Sequence, residues 1–306
     1  MTRPGRALRV WFVALGLAAS VGVVLLGLFG PPQAVSAPGV RTFEPIAPAC
    51  RISDERLTGI SGMAVRSDGT WVVNDRGETL YRLGPSCQVV ESVDLGPKLK
   101  KLDVTLQDVE DLAAGPDGWL WLADTGGNVA PRHTVTLVGW RAAGTPVQVA
   151  ELRYPSGEPD VEALIVDSVG RAILITKVAE DEGSAVVYRT ELPLGAAEKQ
   201  TLKRVGTMKL EKPEGTGSGS RLVTAADVDP TGTYVVVRTY TNAWEFDAPD
   251  GDLAAALISG EPRLVPLPVS EQGEAIAYTL DGGQLLATGE GDPVELDRVQ
   301  ITRSPQ

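Results

Sequence analysis

Residues 107–124 read QDVEDLAAGPDGWLWLAD. An acid opens the stretch, a short apolar strand follows, Pro116-Asp117-Gly118 makes a turn, and a second apolar strand ends at Asp124. Alternating apolar residues on both sides of a glycine turn predict a β-hairpin, because tight hairpin turns need residues that accept positive φ angles.

The chain contains this hairpin five times. The other copies are ISGMAVRSDGTWVVND (60–75), DVEALIVDSVGRAILITK (160–177), VTAADVDPTGTYVVVRTY (223–240) and GEAIAYTLDGGQLLATGE (273–290). The turn glycines are Gly69, Gly118, Gly170, Gly232 and Gly282. They lie 49, 52, 62 and 50 residues apart. A repeat of this length with apolar alternation and glycine turns is typical of propeller blades.

The repeat predicts an all-β protein, a single β-propeller that occupies residues 58–306 and has five blades. The fifth copy lies so near the end of the chain that it supplies only three strands. A strand at Val40–Phe43, or a neighbouring segment within residues 38–57, would supply the fourth. The N- and C-terminal strands would then close the ring and remove an exposed sheet edge. A sixth blade remains open if the insert 192–222 forms further strands.

The first 37 residues differ from the rest. Three arginines precede an apolar run from Val10 to Phe29, and about 20 apolar residues can span a bilayer. Because small residues follow at 35–37, residues 1–37 are either a cleaved signal peptide or an N-terminal membrane anchor. Both alternatives place the body outside the cytoplasm, secreted or anchored to the outer face of the cytoplasmic membrane. Membrane contact would be confined to residues 10–29 of an uncleaved chain.

Residues 38–306 carry 25 basic and 40 acidic side chains, a net charge of −15. Such a charge disfavours nucleic acid and anionic membrane surfaces as partners. We expect a monomer that binds a small molecule or a protein, which the sequence does not identify.

Cys50 and Cys87 are the two cysteines of the chain. In an oxidising compartment such a pair predicts one disulfide, and the alternative is two separate thiols. The bond would tie the closing segment to the last strand of blade one.

Alignment on the turn glycines places one residue of each copy at the start of the first strand. These residues are Ser61, Glu110, Glu162, Thr224 and Glu274. The second strands end at Asp75, Asp124, Lys177, Arg238 and Thr288, with Glu290 just beyond. The start of one hairpin strand and the end of its partner lie at the same end, and the first strand of a blade lines the propeller axis. The sequence therefore predicts an acidic pocket at one mouth of the axial channel.

Crowded carboxylates repel one another unless a cation or a base neutralises them. Ca²⁺ is the expected cation, because it takes six to eight oxygen ligands in flexible geometry. The expected ligands are Glu110, Glu162, Glu274, Asp75 and Asp124. One alternative is that the glutamates accept backbone hydrogen bonds and hold neighbouring blades together. Another is internal neutralisation by Lys177, Arg238, Arg76 and Arg132. One histidine in the chain leaves too few soft ligands for zinc.

Several segments resemble an exported bacterial β-propeller family known mainly from uncharacterised secreted products. They are DVEDLA, LWLADTGGN, Arg132, YPSGEPDVEAL with ITK, TAAD with VVVRTY, and GEAI with ATGEG. The resemblance covers residues 58–291. More distantly, the chain is similar to gluconolactonase-like and phytase-like propellers, and that similarity implies Ca²⁺ at the channel mouth.

The sequence contains no GxSxG motif and no phosphate-binding loop. We therefore expect an extracytoplasmic binding or scaffold module with Ca²⁺ in its axial pocket. The alternative is a Ca²⁺-dependent hydrolase of a lactone or phosphoester, in which the metal polarises the substrate. Lys177 and Arg238 would then hold its anionic group. Glu162 or Asp124 would act as general base. Convergence of these side chains on one open cavity would favour the hydrolase, and pairing across blades would favour the binding module.

Overall fold

The computed structural model describes residues 40–127, 130–177, 184–214, 219–268, 272–291 and 293–304. The predicted leader, residues 1–37, lies outside these ranges. The strands are β1 (Val40–Phe43), β2 (Ala47–Ile52), β3 (Ile60–Arg66), β4 (Gly69–Asn74), β5 (Thr79–Leu83), β6 (Val89–Asp94), β7 (Val109–Ala114), β8 (Leu120–Asp124), β9 (Thr134–Trp140), β10 (Gln148–Arg153), β11 (Val161–Val166), β12 (Ala172–Thr176), β13 (Ser184–Arg189), β14 (Lys199–Thr201), β15 (Lys203–Lys209), β16 (Val223–Val228), β17 (Tyr234–Thr239), β18 (Ala243–Asp247), β19 (Arg263–Val265), β20 (Gly273–Tyr278), β21 (Gln284–Gly289) and β22 (Val294–Ser304). The helices are α1 (Gly96–Lys101) and α2 (Leu253–Ser259).

The strands form five small sheets arranged as a five-bladed β-propeller, which confirms the predicted fold. Blade one contains β3–β6, blade two β7–β10, blade three β11–β13 with β15, and blade four β16–β19. Blade five contains β20–β22 together with β1 and β2. Strand β14 from the 192–222 insert pairs parallel with β10, so the described part of that insert extends blades two and three. It forms no sixth blade.

The repeated hairpins form where the turn glycines predict them. All five turn glycines have positive φ, as the hairpin signal requires. In the turn of blade two, Asp117 has a φ of 57° and Gly118 a φ of 77°. Aspartate and glycine are among the residues that accept this left-handed conformation most readily, so the local sequence is matched to a tight reversal of the chain.

Each pair of neighbouring blades shares its own hydrophobic cluster. The inner strands are buried along their length, as in β11, where all six residues are buried. Blades three and four, for example, pack Ile173 and Val187 against Val235 and Phe246. Burial of each such side chain stabilises the fold by roughly 1.5–3 kcal/mol. There are five such clusters, one between each pair of neighbouring blades, and the cluster between blades five and one closes the ring.

The N-terminal segment closes the ring, as predicted. Phe43 on β1 pairs with Ile301, and Ile52 on β2 pairs with Val294, so β1 and β2 together run antiparallel to the long strand β22. The prediction of Val40–Phe43 is confirmed, and β2 extends the closing strand beyond it. Cys50 on this segment is bonded to Cys87, which confirms the predicted disulfide.

A buried arginine of the closing strand, Arg41, anchors that strand to blade four. The guanidinium of Arg41 lies 3.0 Å from the carboxylate of Glu245, and both side chains are buried. The same guanidinium stacks 3.8 Å from the ring centroid of Tyr234. Arg263 lies 2.8 Å from the other oxygen of Glu245. Removing one member of such a buried set leaves an uncompensated charge, so the set favours one position of the closing strand.

The disulfide is typical of proteins from oxidising, extracytoplasmic compartments. Among the described residues, no helix combines the length and apolar character needed to cross a bilayer.

Removal of the disulfide should destabilise the ring. The bond links residues 37 positions apart, and a loop of that length corresponds to about 3–4 kcal/mol in the chain-entropy account. We expect the Cys50→Ala/Cys87→Ala double variant to lose that much free energy of unfolding in denaturant titrations. Equal stability of the variant and the wild type would show that the closing strand does not depend on the bond.

Candidate metal centre at one mouth of the axial channel

A β-bulge at the start of each innermost strand sets the side chains at this mouth. Strands β3, β7, β11, β16 and β20 each shift register around their second residue. The bulged residues are Ser61, Glu110, Glu162, Thr224 and Glu274, all of them buried. A bulge frees a residue from the ladder and re-aims its side chain. The five positions identified in the repeat therefore share one local backbone geometry.

The two hydroxyl members of this set join neighbouring blades. Ser61 donates a hydrogen bond of 2.7 Å to the carbonyl of Val109, the first residue of β7. Thr224 donates one of 2.8 Å to the carbonyl of Gly273, the first residue of β20. At these two blades the bulged side chain holds the ring together.

Two of the glutamates belong to a compact acidic set. Glu110, Asp160 and Glu162, hereafter the acid group, each present a carboxylate oxygen, and these oxygens all lie within 4.8 Å of one another. The oxygens come from blades two and three. Among the described residues, this group meets the geometric requirement for a metal site.

Asp160 is the member that the sequence analysis missed. Its Oδ1 accepts a hydrogen bond of 2.6 Å from the backbone N–H of Gly127. The sequence carried a signal for it, because Asp-Val-Glu occurs at 108–110 and again at 160–162. Asp108 is also buried beside Glu110. A Cβ on Gly126 would lie 2.0 Å from Glu110 Oε1 and 2.6 Å from Asp108 Oδ2, so only glycine lets this loop cover the two carboxylates.

The acid group is electrostatically strained without a cation. Burial, together with Asp108 and Asp160, raises the pKa of Glu110 to about 8. Burial and the nearby Glu110 raise the pKa of Glu162 well above its usual range. Both carboxyls therefore resist ionisation until positive charge is added.

Lys177 supplies part of that charge. Its ammonium lies 2.9 Å from Glu162 Oε1 and 5.2 Å from the ring centroid of Tyr240. Burial opposes the charged form, but Glu162 and Tyr240 outweigh it, and the pKa of Lys177 is raised. If all three carboxyls of the acid group ionise, this one ammonium leaves two negative charges uncompensated.

Glu274 forms part of a neighbouring acidic region. Burial raises its pKa to about 7, Glu290 and Asp75 add to the effect, and Lys177 opposes it. The side chain of Asp75 is 39% exposed. Neither Glu274 nor Asp75 belongs to the acid group, so the structure brings together two of the five predicted ligands.

Asp124 and Arg238 occupy other positions than the sequence analysis assigned to them. Both oxygens of Asp124 are engaged: Oδ1 accepts the backbone N–H groups of Gln107 and Asp108 at 2.9 and 2.8 Å, and Oδ2 lies 2.9 Å from Arg132. Asp124 therefore orders the strand entry of blade two.

Arg238 is buried and donates a hydrogen bond of 2.7 Å to the carbonyl of Ala275. Burial lowers its pKa to about 10. Its guanidinium lies so close to Gly273 that a Cβ there would be 2.2 Å from Nη2. Arg238 therefore packs between blades four and five, and its hydrogen bond goes to a backbone carbonyl rather than to one of the predicted carboxylates.

A further buried carboxylate, that of Asp111, bonds to the inner strands of three blades. Asp111 is fully buried, and its Oδ1 accepts the N–H of Leu112 at 2.8 Å. Its Oδ2 accepts the N–H groups of Leu164 at 2.8 Å and Ala226 at 3.3 Å. One side chain thus joins the inner strands of blades two, three and four. The sequence signal for it was an acid inside an apolar strand.

The acid group fits a hard divalent cation. Two oxygens bound to Ca²⁺ at 2.3–2.6 Å can be up to about 5 Å apart, which matches the 4.8 Å spread of the group. The donors are all carboxylate oxygens, a set that suits Ca²⁺ or Mg²⁺ rather than zinc.

Comparison with known proteins finds similar solved structures at low sequence identity. No family model and no curated protein matches the sequence. A gluconolactonase from Xanthomonas campestris is 13% identical, with a TM-score of 0.49, over 86% of this chain and 100% of the other. Glutaminyl cyclase from Myxococcus xanthus is 13% identical, with a TM-score of 0.48, over 87% and 100%. The WD40 repeats of RRP9 are 9% identical, with a TM-score of 0.44, over 85% and 100%.

The raised pKa of Glu110 predicts that the cation-free protein loses stability as pH rises. The folded protein retains a proton up to about pH 8, whereas the unfolded chain releases it near the ordinary value of 4.5. Between these values the unfolded state binds fewer protons, so the free energy of unfolding falls as pH increases.

Denaturant titrations in EDTA between about pH 5 and 8 should show this fall. Over this pH range, the free energy of unfolding of Glu110→Gln should fall less than that of the wild type. We expect the difference to be at least about 1.4 kcal/mol, the equivalent of one pKa unit. Glu55→Gln, at an exposed carboxylate, should retain the wild-type dependence. A Glu110→Gln profile parallel to that of the wild type would contradict the assignment.

Proposed function

We propose that the protein is an extracytoplasmic propeller that binds a divalent cation, Ca²⁺ first, in its acid group, and that the loaded mouth is a binding surface. The observation that supports this most directly is the convergence of three carboxylate oxygens from two blades within 4.8 Å. Such crowding is stabilised by a cation and opposed in its absence.

The backbone supports the same function. Bulges hold Glu110 and Glu162 out of their ladders, so neither side chain has to leave a sheet to reach a cation. Asp160 is oriented by the Gly127 N–H. A site whose ligands are already oriented binds with less loss of conformational entropy. A cation there would also join blades two and three.

The extracytoplasmic location rests on two features. The disulfide is stable in an oxidising compartment, and the arginines and apolar run of residues 1–37 have the composition of a signal peptide or membrane anchor. The net charge of −15 beyond residue 37 favours a soluble partner of neutral or positive charge over nucleic acid.

The geometry favours a binding module over the hydrolase. The hydrolase needs Lys177 and Arg238 to hold an anion in an open cavity. Arg238 is instead buried against Ala275 and Gly273, and Lys177 is paired with Glu162. Asp111 accepts backbone N–H groups of blades two, three and four. Arg238 and Asp111 thus bond across blades and Lys177 pairs within blade three, and this engagement of both cationic side chains is what we expect of a binding or scaffold module.

Thermal melting of the purified full-length chain tests the cation. Ca²⁺ at about 100 times its dissociation constant should add roughly 2.7 kcal/mol of stability relative to EDTA, because it binds the folded state alone. The gain should disappear in Glu110→Gln and Glu162→Gln. It should persist in Glu55→Gln, which removes an exposed carboxylate elsewhere. An unchanged melting temperature in millimolar Ca²⁺, or an equal gain in all variants, would remove the cation from the proposed function.

A further inference from the structure

The opposite mouth of the axis carries a cavity whose lining differs in character from the acid group. The five innermost strands run in the same direction along the axis, so the mouth where they end lies about 13 Å from the bulged residues, at roughly 3.3 Å per residue. The residues four positions before each turn glycine, at or next to the ends of these strands, line a cavity of about 370 Å³. The five residues, hereafter the apolar cup, are Val65, Ala114, Val166, Val228 and Tyr278.

The repeat therefore contains a second column that the sequence analysis did not use. The column of bulged residues is polar, whereas this one is aliphatic at four blades and aromatic at the fifth. Leu280 at the rim of the cavity is 53% exposed, although it is a large apolar side chain. A volume of 370 Å³ lies at the lower end of the roughly 300–1,000 Å³ typical of small-molecule pockets.

Three aspartates line the cavity, and two of them are used by their own turns. Asp167 lies 2.8 Å from Arg171 and accepts the N–H of Val169. Asp229 accepts the N–H groups of Thr233 and Tyr234, each at 2.9 Å. These two carboxylates stabilise the hairpin turns of blades three and four, and most of their hydrogen-bonding capacity is used there.

Asp227 differs from the other two. It is mostly buried, its Oδ2 accepts the N–H of Tyr278 at 2.8 Å, and the backbone of Val228 also donates a hydrogen bond to this carboxylate. Among the described residues it has no basic side chain in ion-pair contact, and none of the residues that line the cavity is Lys, Arg or His. The neighbouring carboxylate of Asp229 adds to the negative field at Asp227. A mostly buried carboxylate without a counter-ion is costly unless a cation joins it.

We propose that the apolar cup binds a small organic cation, an ammonium or guanidinium group on an apolar body, with Asp227 as its counter-ion. The cup walls would cover the body, and the cationic head would lie against the carboxylate. A neutral ligand of the same shape leaves Asp227 unpaired, and an anion is repelled. A bare metal ion gains nothing from the aliphatic walls, and two of the three aspartates already accept hydrogen bonds within their own turns. This site is independent of the acid group at the other mouth.

Calorimetric titration of the purified full-length chain in EDTA tests the proposal without the divalent cation. The probes are phenethylamine, tryptamine and isoamylamine. The control ligands are 2-phenylethanol and phenylacetate, which share the phenyl body of phenethylamine but carry a neutral and an anionic head group. We expect at least one amine to bind at least tenfold more tightly than both control ligands, a difference in binding free energy of about 1.4 kcal/mol. Binding by none of the amines, or equal binding of phenethylamine and 2-phenylethanol, would overturn the proposal.

Three variants locate the site. Asp227→Asn keeps an acceptor for the Tyr278 N–H but loses the charge. It should lower the affinity for the amine at least tenfold. Ala114→Leu fills the cup from blade two with no change of charge and should weaken binding of the amine as well. Asp117→Asn removes an exposed turn carboxylate at the same end that does not line the cavity, and should bind like the wild type.

The variants separate the outcomes. Wild-type affinity in Asp227→Asn would overturn the role of that carboxylate. If that variant does not fold, as judged by its melting curve, wild-type affinity in Ala114→Leu would exclude the cup as the binding site.

Discussion

Each blade can bury its two faces only against its two neighbours, and this requirement to close the ring governs the rest of the structure. Inner strands such as β11 and β12 are buried at every residue, so an open arc of blades would expose apolar sheets at its ends. The ring closes because β1 and β2 complete blade five. The disulfide and the buried contact of Arg41 with Glu245 then hold that strand in place.

Closure also forces five strands together along one axis. A Cβ on Gly62 of β3 would lie 2.4 Å from the backbone nitrogen of Leu112 on β7, so the strands approach as closely as their backbones allow. Polar groups so confined must find partners inside the protein. Asp111 meets this requirement by accepting N–H bonds from three inner strands. The hydroxyls of Ser61 and Thr224 do so by bonding carbonyls of the next blade.

The two ends of the axis differ because the same strands begin with polar residues and end with apolar ones. At the first end, bulges and crowding hold carboxylates where a cation would relieve their repulsion. At the second, an apolar cup surrounds a carboxylate without a basic partner among the described residues. Carboxylates lie at both ends, so both would attract cations, but the first gathers three carboxylate oxygens within 4.8 Å and the second sets apolar walls beside its aspartates. Different classes of cation therefore suit the two mouths.

The sequence by itself determined the repeat and the hairpin turns, and it predicted the propeller, its closing strand and the disulfide; the structure decided between five and six blades. Each of these predictions follows from local turn chemistry, from periodicity within one segment, or from the two cysteines of the chain. The tertiary structure decided which acids meet. Asp160 joins Glu110 and Glu162, whereas Asp124 is held by Arg132 and by backbone N–H groups. The reason is physical: such pairing depends on distances of a few ångströms between loops of different blades, and no spacing along the chain encodes those distances.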